Sequence, residues 1–139
     1  LFHNFLTMVM PYDKLIDVKL YYFEVIVLDK YEYRVKTEQM LEYVEANIDF
    51  MEQYLKDNMP KMGMIRPQAS FLVFLDARGL GLPHDKLVEF FVREAKVGMN
   101  DGAMFGEEGS GYMRMNLGCP RSVLEKALNQ IKMAYDKIA

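Results

Sequence analysis

The chain has almost no cysteine. Cys119 is the only one, which excludes an internal disulfide and suits a reducing compartment. It also has no excess of basic charge. Seventeen Lys and Arg stand against twenty Asp and Glu, for a net charge of -3, and no Lys/Arg cluster forms. A nucleic-acid grip is therefore not expected. Long apolar runs are missing too. The longest in the N-terminal third is interrupted by Glu24 and Asp29, too soon to span a membrane. The opening Leu1-Phe-His-Asn has neither a basic n-region nor a small-residue cleavage site, so no secretory signal is read. The expected setting is the cytoplasm, with no nucleic-acid or membrane partner. Twelve methionines are scattered rather than clustered, which suits core filler better than a metal-binding tract.

At 139 residues there is room for one domain, or a small domain with an appendage. Two segments differ in character. Residues 1–36 read as β-rich. Tyr21, Phe23, Val25 and Val27 alternate with Tyr22, Glu24, Ile26 and Leu28, and Tyr31–Val35 is a candidate return strand. Such strands need cover, so this segment is expected to drive homo-oligomer formation. From Thr37, a potential cap, Met40, Leu41, Val44, Ile48, Met51 and Leu55 recur at helical spacing up to Asn58 and Pro60.

Residues 60–67 read as a loop and Phe71–Leu75 as a buried strand. His84–Ala95 reads as a helix with Leu87, Val88, Phe91 and Val92 facing inward. Val97–Asn100 is a short strand, and a glycine-rich loop from Gly102 to Gly111 leads to a strand at Tyr112–Leu117. Ser122 and Glu125 have the spacing of a capping box for a last helix, with Leu124, Leu128, Ile131, Tyr135 and Ile138 as its stripe. Residues 37–139 are thus expected to form an α+β, two-layer small domain. It would have a short three-stranded sheet and helices on one face, preceded by the β-rich segment 1–36.

The run with the most chemistry is Gly109-Ser-Gly-Tyr-Met-Arg114-Met-Asn116-Leu-Gly-Cys-Pro-Arg121. Alternation along the strand puts Arg114 on one face with Tyr112 and Asn116, opposite Met113 and Met115. An aromatic ring, a guanidinium and an amide on one face form a polar pocket. The guanidinium fork suits bidentate binding of a carboxylate, which lysine cannot reproduce. The plainer reading is a solvated arginine on an edge strand. Cys119 has no neighbouring His or acid and reads as packing, not as a nucleophile. His84 reads as a surface residue opening a helix, and Arg121 as structural.

Several stretches together resemble one enzyme family. They are Pro67–Asp76, Gly79-Leu-Gly-Leu-Pro83, Phe90-Phe91, Val97-Gly-Met-Asn-Asp-Gly102, Phe105-Gly106 and Gly109–Arg121. In order and spacing they resemble the C-terminal small domain of class I/II aminotransferase-like enzymes that use pyridoxal phosphate, in the MalY/PatB-type cystathionine β-lyase branch. The resemblance implies that Arg114 binds the α-carboxylate of an amino acid. It also implies that Asn100–Gly102 and Phe105-Gly106 shape the wall beside the active site, and that Tyr112 and Asn116 line it.

The remaining chemistry of that family is absent from the sequence. Pyridoxal phosphate needs a Schiff-base lysine, a carboxylate for the pyridine nitrogen and a phosphate cup. The family's lysine follows a Ser/Thr-rich strand end. Ser70, Ser110 and Ser122 lead instead into Phe-Leu-Val, Gly-Tyr-Met and Val-Leu-Glu, and no Asn-Pro or Asp-x-x-Tyr stretch occurs. No cofactor is therefore expected to bind this chain alone, and no catalytic residue is assigned. The expected function is a C-terminal domain of an aminotransferase or C–S lyase, inactive by itself. The alternatives are a non-catalytic binding or self-association module and one half of a split enzyme.

Overall fold

The computed structural model describes residues 30–138, with side chains from Lys36 onward. The chain divides into two units, 1–41 and 42–139. The sheet belongs to the second unit. Of the first, the opening turns of a long helix fall among the described residues.

That helix, α1, runs Lys30–Asn58. Its start corrects the expectation for Tyr31–Val35, which is helical rather than a return strand, and Thr37 lies inside the helix rather than at its cap. The sequence contains no Gly or Pro between Pro11 and Pro60, so no breaker interrupts the helix before Thr37. The rest of the expected β-rich segment, 1–29, lies outside the described residues. From α1 the core takes Ile48, Met51 and Leu55, while Met40 and Leu41, expected on the same stripe, are exposed.

Four antiparallel strands form one sheet in the order β1-β2-β4-β3. They are β1 Gly63–Ile65, β2 Leu72–Asp76, β3 Asn100–Asp101 and β4 Tyr112–Asn116. The extra strand is β1, inside the stretch read as a loop, and β3 begins only at Asn100, where the expected strand Val97–Asn100 ends. Three residues between Pro60 and Pro67 are too few to show a period of two. They hold their place by pairing Gly63↔Asp76, Met64↔Leu75 and Ile65↔Phe74.

Alternation gives the sheet two unlike faces. Val73, Leu75, Met113 and Met115 are buried with the helices. Leu72, Phe74, Asp76, Tyr112, Arg114 and Asn116 lie on the other face, half-buried or exposed. The expected α+β layering, with helices on one side, is what the chain adopts.

Helix α2, His84–Glu89, continues as a π-turn over Phe90–Glu94, with the Ala95 N–H donating to the Phe90 carbonyl at 2.9 Å. The wider turn changes which residues face inward. Phe90 and Phe91 are buried, Val88 is half-buried, and Val92, expected inside, is 56% exposed.

Helix α3 spans Arg121–Tyr135. The expected Ser122/Glu125 capping box does not form. Pro120 holds the cap position, and no side chain of the helix caps it. Instead the Arg121 N–H donates to the Tyr43 hydroxyl at 2.6 Å, so α1 supplies the cap. Leu124, Leu128, Ile131 and Tyr135 are buried as expected, and Ile138, past the helix end, is exposed.

Candidate functional site

Arg114 sits on central strand β4, between β2 and β3. Antiparallel register places Phe74 opposite it on one side and Asn100 on the other. Residues directly opposite share a face, so Phe74, Arg114 and Asn100 form one row across the open side of the sheet. Phe105, from the first short helical turn of the glycine-rich loop, Gly102–Phe105, completes the setting. Its ring centroid lies 4.2 Å from the Arg114 guanidinium carbon, and it meets Phe74 edge-on at 5.8 Å. The guanidinium is thereby held over an aromatic ring.

Its hydrogen bonding is incomplete. Nη2 donates to Asn100 Oδ1 at 3.3 Å, and Nε is closed off from water without any partner. A buried orphan donor costs about 1–3 kcal/mol. Among the buried side-chain polar atoms of the described residues, it is the one left unsatisfied. The arrangement is a positioned cation whose buried Nε is unsatisfied and whose exposed Nη2 makes one hydrogen bond.

The two flanking residues named from the sequence share this face but are engaged elsewhere. Arg78 stacks on the Tyr112 ring at 4.7 Å. Arg78 also grips Asp76 through Nε and Nη2 at 3.0 and 2.7 Å. That fork, helped by a hydrogen bond from Tyr112, holds the Asp76 carboxyl below the usual carboxylate range. Asn116 Oδ1 accepts the Gly118 N–H at 2.8 Å, and the residue also borders a cleft of about 450 Å³ between β4 and α3.

The exit from the run is pinned by residues the motif reading missed. Asn47 on α1 is fully buried and makes three hydrogen bonds. Its Nδ2 donates to the carbonyls of Leu117 and Cys119, both at 2.9 Å, and its Oδ1 accepts from Arg121 Nε at 2.9 Å. Arg121 further donates to the Ala46 carbonyl and stacks on Phe50. These contacts support its structural reading. A polar residue beside Ile48, on the stripe of a core-facing helix, was the available signal. From the sequence, His84 reads as a surface residue opening a helix. It is half-buried, with both ring nitrogens bonded.

Among the described residues, no metal-binding group of His, Cys, Asp or Glu occurs, and no helix is long and apolar enough to cross a membrane. Pyridoxal phosphate does not fit the face as described. Among the described residues, those around Arg114 include no lysine for a Schiff base, and the one carboxylate on β2, Asp76, is already taken by Arg78.

No family model matches the chain. Individual proteins do. It is 34% identical to cystathionine beta-lyase PatB of Bacillus subtilis over 97 residues, which are 70% of this chain and 25% of that protein. It is 36% identical to MalY of Escherichia coli over 86 residues, 62% of this chain and 22% of that one. A PLP-bound protein from Clostridium difficile 630, assigned as an aminotransferase, superposes with a TM-score of 0.68 at 47% identity, covering 70% of this chain and 25% of its own.

This chain belongs to the aminotransferase-like family of pyridoxal-phosphate enzymes. It spans about a quarter of the length of the curated relatives it matches, in keeping with a C-terminal portion of that family. The aminotransferase-like small domain expected from the ordered stretches between Pro67 and Arg121 is therefore the fold that the helices and sheet build.

Proposed function

We propose that residues 42–139 act as the substrate-carboxylate module of an aminotransferase-like enzyme of amino-acid metabolism, and that Arg114 is the clamp. The observation that carries this reading is the Arg114 guanidinium, held over the Phe105 ring and hydrogen-bonded to Asn100 on the open face of the sheet. A fixed planar fork binds a carboxylate through two parallel N–H···O bonds. Phe74 and Phe105 lower the local polarity, which strengthens that attraction. Tyr112 and Asn116 flank the clamp along β4 and bound the space into which a substrate side chain would extend.

The module contributes recognition and orientation, not bond-making. The cofactor of the relatives supplies the electron sink that labilises bonds at an amino acid's α-carbon. Here the face offers no lysine to anchor it, so the chain by itself is catalytically incomplete and needs a lysine-bearing domain. Whether that domain carries lyase or transaminase chemistry is decided outside these residues.

The test is a titration of the ¹⁵N-labelled full chain with sodium acetate and with L-alanine, following the backbone amides of Asn100 and Phe105, which are present in every variant. The expected result is a saturable shift that disappears in Arg114→Ala and is weakened in Arg114→Lys, which cannot form the fork. Shifts that persist unchanged at other resonances in Arg114→Ala would rule out the clamp.

A further inference from the structure

The Gly102–Gly111 loop carries Phe105, and its two ends are joined by one imidazole. His84, the first residue of α2, accepts the Gly111 N–H on Nδ1 at 3.0 Å. A backbone amide can only donate, so Nδ1 is unprotonated and Nε2–H donates to Asp101 Oδ1 at 2.8 Å. The same Asp101 oxygen accepts the Ala103 N–H at 2.8 Å and caps the turn Gly102–Phe105. The loop's entry at Asp101 and its exit at Gly111 are thus both fastened to a helix that contributes no other residue to the face.

Between these ends the loop is closed backbone to backbone. A methyl group on Gly109 would stand 2.0 Å from the Gly102 carbonyl oxygen, and one on Gly102 would stand 2.4 Å from the Tyr112 carbonyl oxygen. With no side chains between the two turns, their backbones pack directly against each other, and the loop is also tied at Gly111, whose carbonyl accepts the Ala77 N–H at 3.1 Å. The residue it delivers is Phe105, beneath Arg114 and in T-shaped contact with Phe74.

We propose that His84 is a positioning residue for the Arg114 site. It touches neither Arg114 nor the space for a carboxylate. It acts through Asp101 and Gly111 to set the loop at the distance where Phe105 supports the guanidinium. Its effect on ligand affinity rests on the carboxylate reading of Arg114 given above; its effect on the Phe105–Arg114 stack does not.

The experiment uses the full chain and two readouts. The first needs no ligand. The Arg114 side-chain protons lie over an aromatic ring, so their resonances are expected upfield of ordinary arginine values, and Phe105→Leu, which removes the ring, should abolish that displacement. In His84→Ala the displacement falls by at least half and the Gly111 amide exchanges faster. His84→Asn, whose Oδ1 can take the place of Nδ1, restores Gly111 protection. His84→Gln, whose amide can reach Asp101, restores the ring displacement. A merely structural histidine would give a different pattern: His84→Ala would melt earlier while Arg114 kept its upfield resonances. That result overturns the proposal. If His84→Ala does not fold, His84→Phe, which keeps the ring's bulk but neither hydrogen bond, reports through the same displacement, with the same two outcomes.

The second readout is acetate affinity. It is expected to weaken roughly tenfold in His84→Ala, as loss of a desolvated cation–aromatic contact would give, and to recover in His84→Gln. Acetate binding that is equal in wild type and Arg114→Ala defeats the carboxylate reading alone, because the ring displacement still decides the role of His84. Acetate binding that needs Arg114 but ignores His84→Ala defeats the positioning role alone.

Discussion

The guanidinium carbon of Arg114 lies 4.2 Å from the centre of the Phe105 ring, which makes a T-shaped contact with Phe74. A cation that would otherwise sample many rotamers is thereby fixed before any ligand arrives. Preorganisation of this kind reduces the ordering cost of binding. Phe105→Leu should leave the fold intact, because the ring is half exposed. It should weaken acetate binding by roughly 5- to 10-fold, the scale of a partly desolvated cation–aromatic contact. Calorimetry on the two proteins checks this. Equal affinities would assign the placement of Arg114 to Asn100 and β4 alone.

Asn47 gives a prediction about stability. Its side chain satisfies the carbonyls of Leu117 and Cys119 and the Nε of Arg121, with no exposure to water. Asn47→Ala strands all three and opens a small void. The expected loss is about 2–4 kcal/mol in denaturant unfolding. A change below about 0.5 kcal/mol, the scale of a neutral surface substitution, would mean that water replaces the amide.

Asp76 gives a prediction about pH. The Arg78 fork holds its folded-state titration below the ordinary carboxylate range. A depressed folded-state pKa stabilises the native chain only while the carboxyl is ionised. The stabilisation is fully present above the unfolded carboxyl's pKa of about 3.9 and is lost as pH falls through the lower folded value. Stability of the native chain should therefore drop more steeply below about pH 4 than that of Asp76→Asn. Parallel pH–stability curves for the two would contradict the pair's contribution. The effect is modest, because Arg78 is well exposed.

The absence of a lysine beside Arg114 among the described residues predicts the response to the cofactor itself. Pyridoxal phosphate mixed with the full chain should react only with scattered surface amines. Borohydride reduction followed by peptide mapping should show no single stoichiometric lysine. One fully modified lysine, with a visible aldimine band, would contradict the incompleteness proposed for this module.

Much of the fold was legible because it depends on periodicity. Val73 and Leu75 in β2, Met113 and Met115 in β4, and Leu124, Leu128 and Ile131 in α3 fall at the spacings that mark a buried face. The features that escaped are those without a local pattern. Strand β1 is specified by its partner Leu72–Asp76 rather than by its own three residues. The π-turn after Glu89 inserts a residue into a helical period and exchanges Phe90 for Val92 in the core. Helix α1 includes Tyr31–Val35 because no breaker separates them from Thr37, although they alternate like a strand.

The same division holds for the site. Arg114 and its face could be read from alternation on one strand. The contacts that fix it join Asn100, Phe105 and His84, which are separated in sequence and brought together by the sheet and the loop. The helix cap expected from Ser122 and Glu125 was displaced for a related reason: a tertiary partner, Tyr43, reaches the first amide of α3.

The role of Arg114 is tested most directly by kinetics. Residues 42–139 would replace the matching region of Bacillus subtilis cystathionine beta-lyase PatB, and turnover of cystathionine would be measured with Arg114 intact and as Arg114→Ala. A carboxylate clamp at Arg114 predicts a chimaera that turns over and an Arg114→Ala form that loses roughly 10- to 100-fold in kcat/KM, the scale of a lost charge-assisted fork. A cofactor-loaded chimaera whose kcat/KM is unchanged by Arg114→Ala would contradict it.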